Sequence, residues 1–198
     1  MGVLAAAGAV PAEALAQAPD RSAERPAGAA AFVQAATSRI TGIVNGADSP
    51  RDKVLKLQEA VDQAVDAEEI ARFCLGRFWR SATPAQQGTF LQMFHRVLLD
   101  GVTGQISAYQ GVRVTVGATR ERDDGTLVAS LVARPGQKDA RVDWLVRPTA
   151  AGPRIEDVIA EGTSLRLTRR NDYAAYLGSH DGDIGLLLEA MRQRLSPA

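Results

Sequence analysis

From Gly111 to Ala160 the chain is written with a period of two. Val112, Val114 and Val116 alternate with Arg113 and Thr115, and Asp123-Asp124-Gly125 then turns the chain into an apolar run, Thr126–Arg134. Pro135-Gly136 marks the next turn. Val142, Trp144 and Val146 share one face of a third run, with Arg141, Asp143 and Arg147 opposite and Leu145 as the exception, and Arg154–Ala160 supplies a fourth. Side chains alternate between the two faces of a strand, so this spacing demands strands with one buried face. Strands that follow one another through short turns pair antiparallel, giving a meander of about four strands. One face of such a sheet is apolar and needs a cover.

The cover is written before and after it. Phe32, Ala36, Ile40, Ile43 and Val44 recur at helical spacing until Asn45-Gly46, and Val54, Leu57, Val61 and Ala64 form the stripe of a second helix from about Arg51 to Val65. Asp66 has the position of an N-cap with Glu69 three residues on, for a short helix that carries Ile70, Phe73 and Cys74 and stops at Gly76. Thr83-Pro84-Ala85-Gln86 places a capping hydroxyl, a first-turn proline and a capping-box Gln ahead of a long helix whose apolar face includes Phe90, Phe94, Leu98 and Ile106. Gly101 and Gly104 predict a kink or an end to it. After the strands, a helix from Arg169 to about Leu177 is expected, and another capped by Asp181 with Ile184, Leu187, Leu188 and Met191 on one side. Helices, meander and terminal helices make an α+β fold, a curved antiparallel sheet wrapped by N- and C-terminal helices.

The charges exclude one large class of function. Lys plus Arg and Asp plus Glu each total 23, so the chain lacks the positive field with which nucleic-acid binders neutralise phosphates. At the N-terminus a small apolar block is followed by Ala14-Leu15-Ala16, the small-x-small form that signal peptidase accepts, and Gln17–Gly28 is rich in Ala and Pro. Residues 1–28 accordingly read as a signal-peptide remnant with a flexible leader, and 29–198 as a single domain. No apolar run is long enough to cross a bilayer. The single cysteine, Cys74, has no partner for an internal disulfide and reads as a buried thiol.

Residues with chemistry are few. His95 and His180 are the two histidines, and neither has a second ligand at metal-binding spacing, so no metal or other cofactor is expected. Glu156, Asp157 and Glu161 are the acidic group beside a strand end. Glu156 and Asp157 point to opposite faces of a regular strand and form no close pair without a bulge. Asp157 is the candidate general base for a small-molecule enzyme of curved-sheet isomerase type; the plainer reading is a carboxylate that caps the next turn or pairs with an Arg. Arg154, Arg166, Arg169 and Arg170 are candidates for positive charge at a cavity mouth, or for a solvated basic face.

The run Glu156-Asp157-Val158-Ile159-Ala160-Glu161-Gly162-Thr163-Ser164-Leu165 resembles a signature of the MlaC family, periplasmic lipid carriers also called toluene-tolerance proteins. The family pattern is Trp-Lys-Val/Ile-Tyr/Phe-Asp-Val-x-Ile/Val-Glu-Gly-Val/Ile-Ser-Leu leading into Asn-Tyr-Arg, and this chain keeps Asp157, Val158, Glu161, Gly162, Ser164 and Leu165. Leu75-Gly76 followed by Trp79, the Thr83-Pro84 start with Gln87 and Phe90, and Tyr109 near a glycine are similar too. Pro153-Arg154 stands where the family has Trp-Lys, Gly88 where it has Arg, and Leu167-Thr168-Arg169-Arg170 where it has Asn-Tyr-Arg, which leaves open the hopanoid-associated HpnM branch. The resemblance implies a deep apolar cavity between helices and sheet that holds phospholipid or hopanoid-like lipid tails. It also implies a soluble periplasmic shuttle without a chemical step, whose partners are an outer-membrane lipoprotein complex and an inner-membrane ABC transporter with its substrate-binding-domain subunit. Facing alone selects Phe94, Leu98, Val114, Val116, Leu131, Trp144, Val158 and Leu165 as candidate lipid-lining residues.

Overall fold

The computed structural model describes residues 21–104 and 106–196; the expected signal-peptide remnant before Arg21 lies outside them. Three helices come first: α1 (Arg21–Asn45), α2 (Pro50–Ala64) and α3 (Ala67–Leu75). α1 begins upstream of the expected start and runs through Pro26. Ser49 caps α2 by accepting from the Asp52 N–H, and Asp66 caps α3 by accepting from the Glu69 N–H at 3.0 Å. A short 3-10 helix (Gly76–Arg80) leads to α4 (Pro84–Thr103), which opens with a complete capping box: Thr83 accepts from the Gln86 N–H while the Gln86 side chain accepts from that of Thr83. α4 passes through Gly101 without stopping and ends at Gly104, before a second 3-10 turn (Ile106–Tyr109).

The sheet has five strands in the order β1-β2-β3-β4-β5, all antiparallel: β1 (Arg113–Arg122), β2 (Gly125–Ala133), β3 (Ala140–Thr149), β4 (Gly152–Ala160) and β5 (Thr163–Ser164). Four are the expected meander; the two-residue fifth is too short to leave a periodic signal. At the β1–β2 turn Gly125 has φ 140°, and a Cβ there would sit 2.5 Å from the Val146 carbonyl oxygen, so only glycine lets the hairpin lie against β3.

α5 (Leu165–Gly178) and α6 (Ile184–Leu195) close the chain. Two expectations are corrected here. α5 starts at Leu165 and not at Arg169, because Ser164 leaves the strand with extended backbone and accepts from the Leu167 N–H. The cap of α6 is Asp183 and not Asp181: the Gly182 N–H bonds back to the Leu177 carbonyl, so Asp181 (φ 52°) belongs to the end of α5.

Side chains form three apolar clusters. One is helical throughout: Phe90 and Phe94 of α4 meet Tyr173 and Leu177 of α5, Leu187 and Met191 of α6 and Cys74 of α3. A second lies between α1 and the sheet, where Ala29 and Val33 pack on Val128, Val146 and Ile155. The third and smallest joins Val44 of α1, Leu57 of α2 and Val112, with Ile40, Ile43, Ile106 and Val132 against them. The molecule is thus a sheet covered by α1 and α2, joined to a bundle of α3–α6.

Candidate functional site

Two places concentrate unusual chemistry or space. The first is the corner where β4 passes through β5 into α5. A bulge shifts the β3–β4 register between Leu145 and Val146, which pair with Asp157 and Ile155 and leave Glu156 as the extra residue. The bulge supplies the exception that a regular strand forbids: Glu156 and Asp157, buried at 2% and 5% exposure, both address Arg166. The Arg166 guanidinium lies 3.0 Å from Asp124, 3.6 Å from Glu156 and 3.5 Å from Asp157, with its centre 4.5 Å from the Phe73 ring. Arg147 approaches Glu156 at 3.4 Å from the other side.

Both Asp157 oxygens are engaged by the protein. Oδ2 accepts from the Ser164 hydroxyl at 2.6 Å and Oδ1 from the Arg166 N–H at 3.1 Å, while Ser164 Oγ accepts from the Leu167 N–H. The Glu161 carboxylate accepts from the Arg141 N–H, and Glu161-Gly162 turn the chain at φ 47° and 81°. Asp157, Glu161, Gly162 and Ser164 of the signature therefore build this strand-to-helix corner, while Val158 packs on the α1 side of the sheet. A general base needs a free lone pair facing a substrate; Asp157 instead fixes the first turn of α5, the plainer of the two sequence readings. Burial raises the Glu156 carboxyl above its ordinary range, with Arg147 pulling the other way.

The four arginines divide otherwise than a cavity mouth requires. Arg166 is in the buried knot, Arg170 donates to the Phe73 carbonyl at the end of α3, Arg169 pairs with Asp172, and Arg154 donates to the Pro153 carbonyl. Their partners are local or come from distant strands and loops, which spacing along the chain does not reveal. His95 pairs with Asp62 of α2 at 2.6 Å, and His180 stacks on Tyr176.

The second place is a cleft of about 340 Å³ lined by Val44 from the end of α1, Asp48 from the loop after it, Pro50, Lys53 and Val54 from the start of α2, and Thr103, Gly104, Ile106 and Gln110. Lys53 donates to the Val44 carbonyl at 2.8 Å on its rim. Val44 and Ile106 belong at once to this cleft and to the smallest apolar cluster, so its floor continues into the α1–α2–sheet layer. Another cleft, of about 410 Å³ between α4 and α6, is lined by Gln92, Met93, Arg96, Arg192, Leu195 and Ser196. None of the eight candidate lipid-lining residues and none of the four arginines lines either cleft.

Four of the eight share a surface. Trp144 pairs with Val128 and Val158, and Val114 and Val116 pair with Val132 and Ser130, on the sheet face that α1 covers. The Trp144 indole N–H donates to Ser130 Oγ at 2.9 Å, so its ring lies half-buried under α1 with its polar atom satisfied. Phe94 is elsewhere, in the aromatic core with Phe90 and Tyr173. Leu98 is half-buried on α4. Leu131 stands on the opposite sheet face at 46% exposure, and Leu165 is 52% exposed at the start of α5. Sequence reading missed the cleft residues Lys53, Thr103, Ile106 and Gln110; the one available sign was the pair of glycines at the end of α4.

A family model described as MlaC protein matches residues 34–193. Among solved structures, the chain is similar to the phospholipid-binding protein from Ralstonia solanacearum, solved in complex with a phospholipid. The two are 25% identical, the match covers 84% of this chain and 96% of that one, and the TM-score is 0.75.

Proposed function

The chain belongs to the MlaC protein family, and from that premise we propose that it is a phospholipid carrier which takes acyl chains between the α1–α2 layer and the sheet and moves them through the periplasm. Its loading and unloading partners on this reading are an inner-membrane ABC transporter complex with a substrate-binding-domain subunit and an outer-membrane lipoprotein complex. Hopanoid-like lipid is the alternative cargo. The observation that carries the proposal is the phospholipid bound by the Ralstonia protein, whose fold extends over most of this chain. Among the described residues no helix is long and apolar enough to cross a membrane.

The physics calls for such a carrier. A buried methylene is worth about 0.8 kcal/mol, so moving a 16-carbon tail into water costs on the order of 12 kcal/mol, and two tails twice that. A protein interior of matching apolarity removes that barrier with no bond made or broken. The 340 Å³ cleft is at the small end of the roughly 300–1,000 Å³ common for ligand pockets. It admits part of a chain; the remainder displaces the small Val44–Leu57–Val112 cluster and spreads over Val114, Val116, Trp144 and Val158. The enzyme reading, with Asp157 as base, has no geometric support, since both carboxylate oxygens are taken.

Gentle purification followed by native mass spectrometry tests the proposal. Co-purified phospholipid or triterpenoid mass supports it. Protein that repeatedly carries no lipid and extracts none from liposomes refutes it.

A further inference from the structure

Resting on that reading, we infer that α2 and α4 act as a pair of jaws around the 340 Å³ cleft, with the His95–Asp62 contact as their fulcrum. The two helices run antiparallel. Asp62, near the end of α2, touches His95 in the middle of α4 at 2.6 Å, whereas Lys53 and Val54 of the first turns of α2 line the cleft opposite Thr103 at the end of α4. From the contact to the cleft is nine residues along α2, to Lys53, and eight along α4, to Thr103, or about 13 and 12 Å of helix. The arms are thus matched in length, touching at one end and apart at the other.

The ties are distributed in the same sense. Among the described residues the His95–Asp62 pair is the one polar side-chain bond between α2 and α4. At the open end, the polar groups of the two helices bond away from each other: Lys53 of α2 to the Val44 carbonyl of α1 and Thr103 Oγ1 to the Leu99 carbonyl of its own helix. Beyond Leu99, the last buried residue of α4, Gly101 and the C-cap Gly104 are exposed and Val102 and Thr103 are half-buried. Separation of the arms at this end widens the cleft toward Val44 and Ile106, the shared wall of the small apolar cluster, while the fulcrum and the Phe90–Phe94–Tyr173 core hold the rest of α4 in place.

The test uses two cysteine pairs in the full chain, each bridged by a short flexible bismaleimide: Val54→Cys with Thr103→Cys across the jaws, and Asp62→Cys with His95→Cys at the fulcrum. Native Cys74 is buried and does not compete. The readout is extraction of a fluorescent-acyl phospholipid from phosphatidylethanolamine and phosphatidylglycerol vesicles. Loss of uptake on bridging the jaws, with uptake kept on bridging the fulcrum, is the expected result. Uptake that survives bridged jaws, or that is lost at a bridged fulcrum, overturns the inference while leaving lipid carriage intact. Lys53→Cys with Thr103→Cys replaces the first pair if that variant misfolds. Wild-type protein that extracts no lipid removes the carrier reading, and the jaws with it.

Discussion

Replacing Asp157 by Asn separates a structural carboxylate from a catalytic one. The change removes the charge and one acceptor oxygen but keeps the side-chain shape. The knot holds three carboxylates, Asp124, Glu156 and Asp157, against three guanidinium groups, Arg122, Arg147 and Arg166, and Arg166 touches all three carboxylates. Neutralising one carboxylate therefore leaves Arg166 with two anionic partners, and the penalty of an unpaired buried charge does not arise. What is lost is hydrogen bonding: of the Ser164 hydroxyl and the Arg166 N–H, both now donating to an ionised acceptor, Asn accepts from one at neutral strength and presents N–H to the other. Hydrogen bonds to charged groups contribute about 1.5–3 kcal/mol each, so the expected cost is about 2–3 kcal/mol of the roughly 5–15 kcal/mol that holds a domain together. For a chain of this length that lowers Tm by on the order of 5–10 °C. Differential scanning calorimetry measures it, and liposome uptake below Tm should match wild type. Unchanged Tm together with lost function would show that Asp157 acts on a ligand and not on the corner.

Arg166→Met is the harsher counterpart: it removes the guanidinium shared by Asp124, Glu156 and Asp157, leaving Asp124 to Arg122, Glu156 to Arg147 and Asp157 to its hydrogen bonds, and should cost about 3 kcal/mol by urea titration, with a cost below about 1 kcal/mol counting against the knot. Glu156 has the opposite sign from a salt-bridged acid. Its folded carboxyl is raised by burial, so the folded state holds the proton more tightly than the unfolded one, and stability falls as pH rises from the ordinary carboxylate range through the raised value. Glu156→Gln should flatten that fall; a variant whose urea midpoint declines more steeply than wild type over the same range contradicts it. Cys74, pushed up to about 12 by burial, should resist iodoacetamide at pH 8 in the native protein and react on unfolding, and rapid native labelling would disprove its burial. Leu98→Gln, on the half-buried side of α4, should reduce lipid loading in a folded protein; equal loading removes Leu98 from the lipid path.

The parts of this fold that are local in cause were legible in the chain. Asp66 and Thr83 each cap the helix that follows by a bond to a residue three positions away, and the alternation from Val112 to Val146 maps onto β1–β3. The family was legible through Asp157–Leu165, yet Asp157, Glu161, Gly162 and Ser164 of that run build a corner, because a sequence signature marks backbone geometry as readily as it marks contact with a ligand. The bulge at Glu156, which turns two neighbouring acids to one arginine, depends on pairing across β3 and leaves no trace in periodicity. Arg166 finds Asp124 from 42 residues away, a partnership no spacing rule reaches. Alternation told that Leu131 is apolar but not that its end of a face buried at Leu127 and Leu145 lies open, and helical spacing could not divide Phe94, in a solid aromatic core, from residues beside a cleft.

The central claim is that acyl chains lie between the α1–α2 layer and the sheet face that carries Val116 and Trp144. A phospholipid with a photoactivatable group at the end of one chain, loaded from vesicles and cross-linked in place, reports this by peptide mapping. Label is expected on α1, on α2 or on the peptides that hold Val114, Val116, Trp144 and Val158. Label confined to the outer sheet face around Leu131, or to the α4–α6 cleft at Met93 and Leu195, would contradict it.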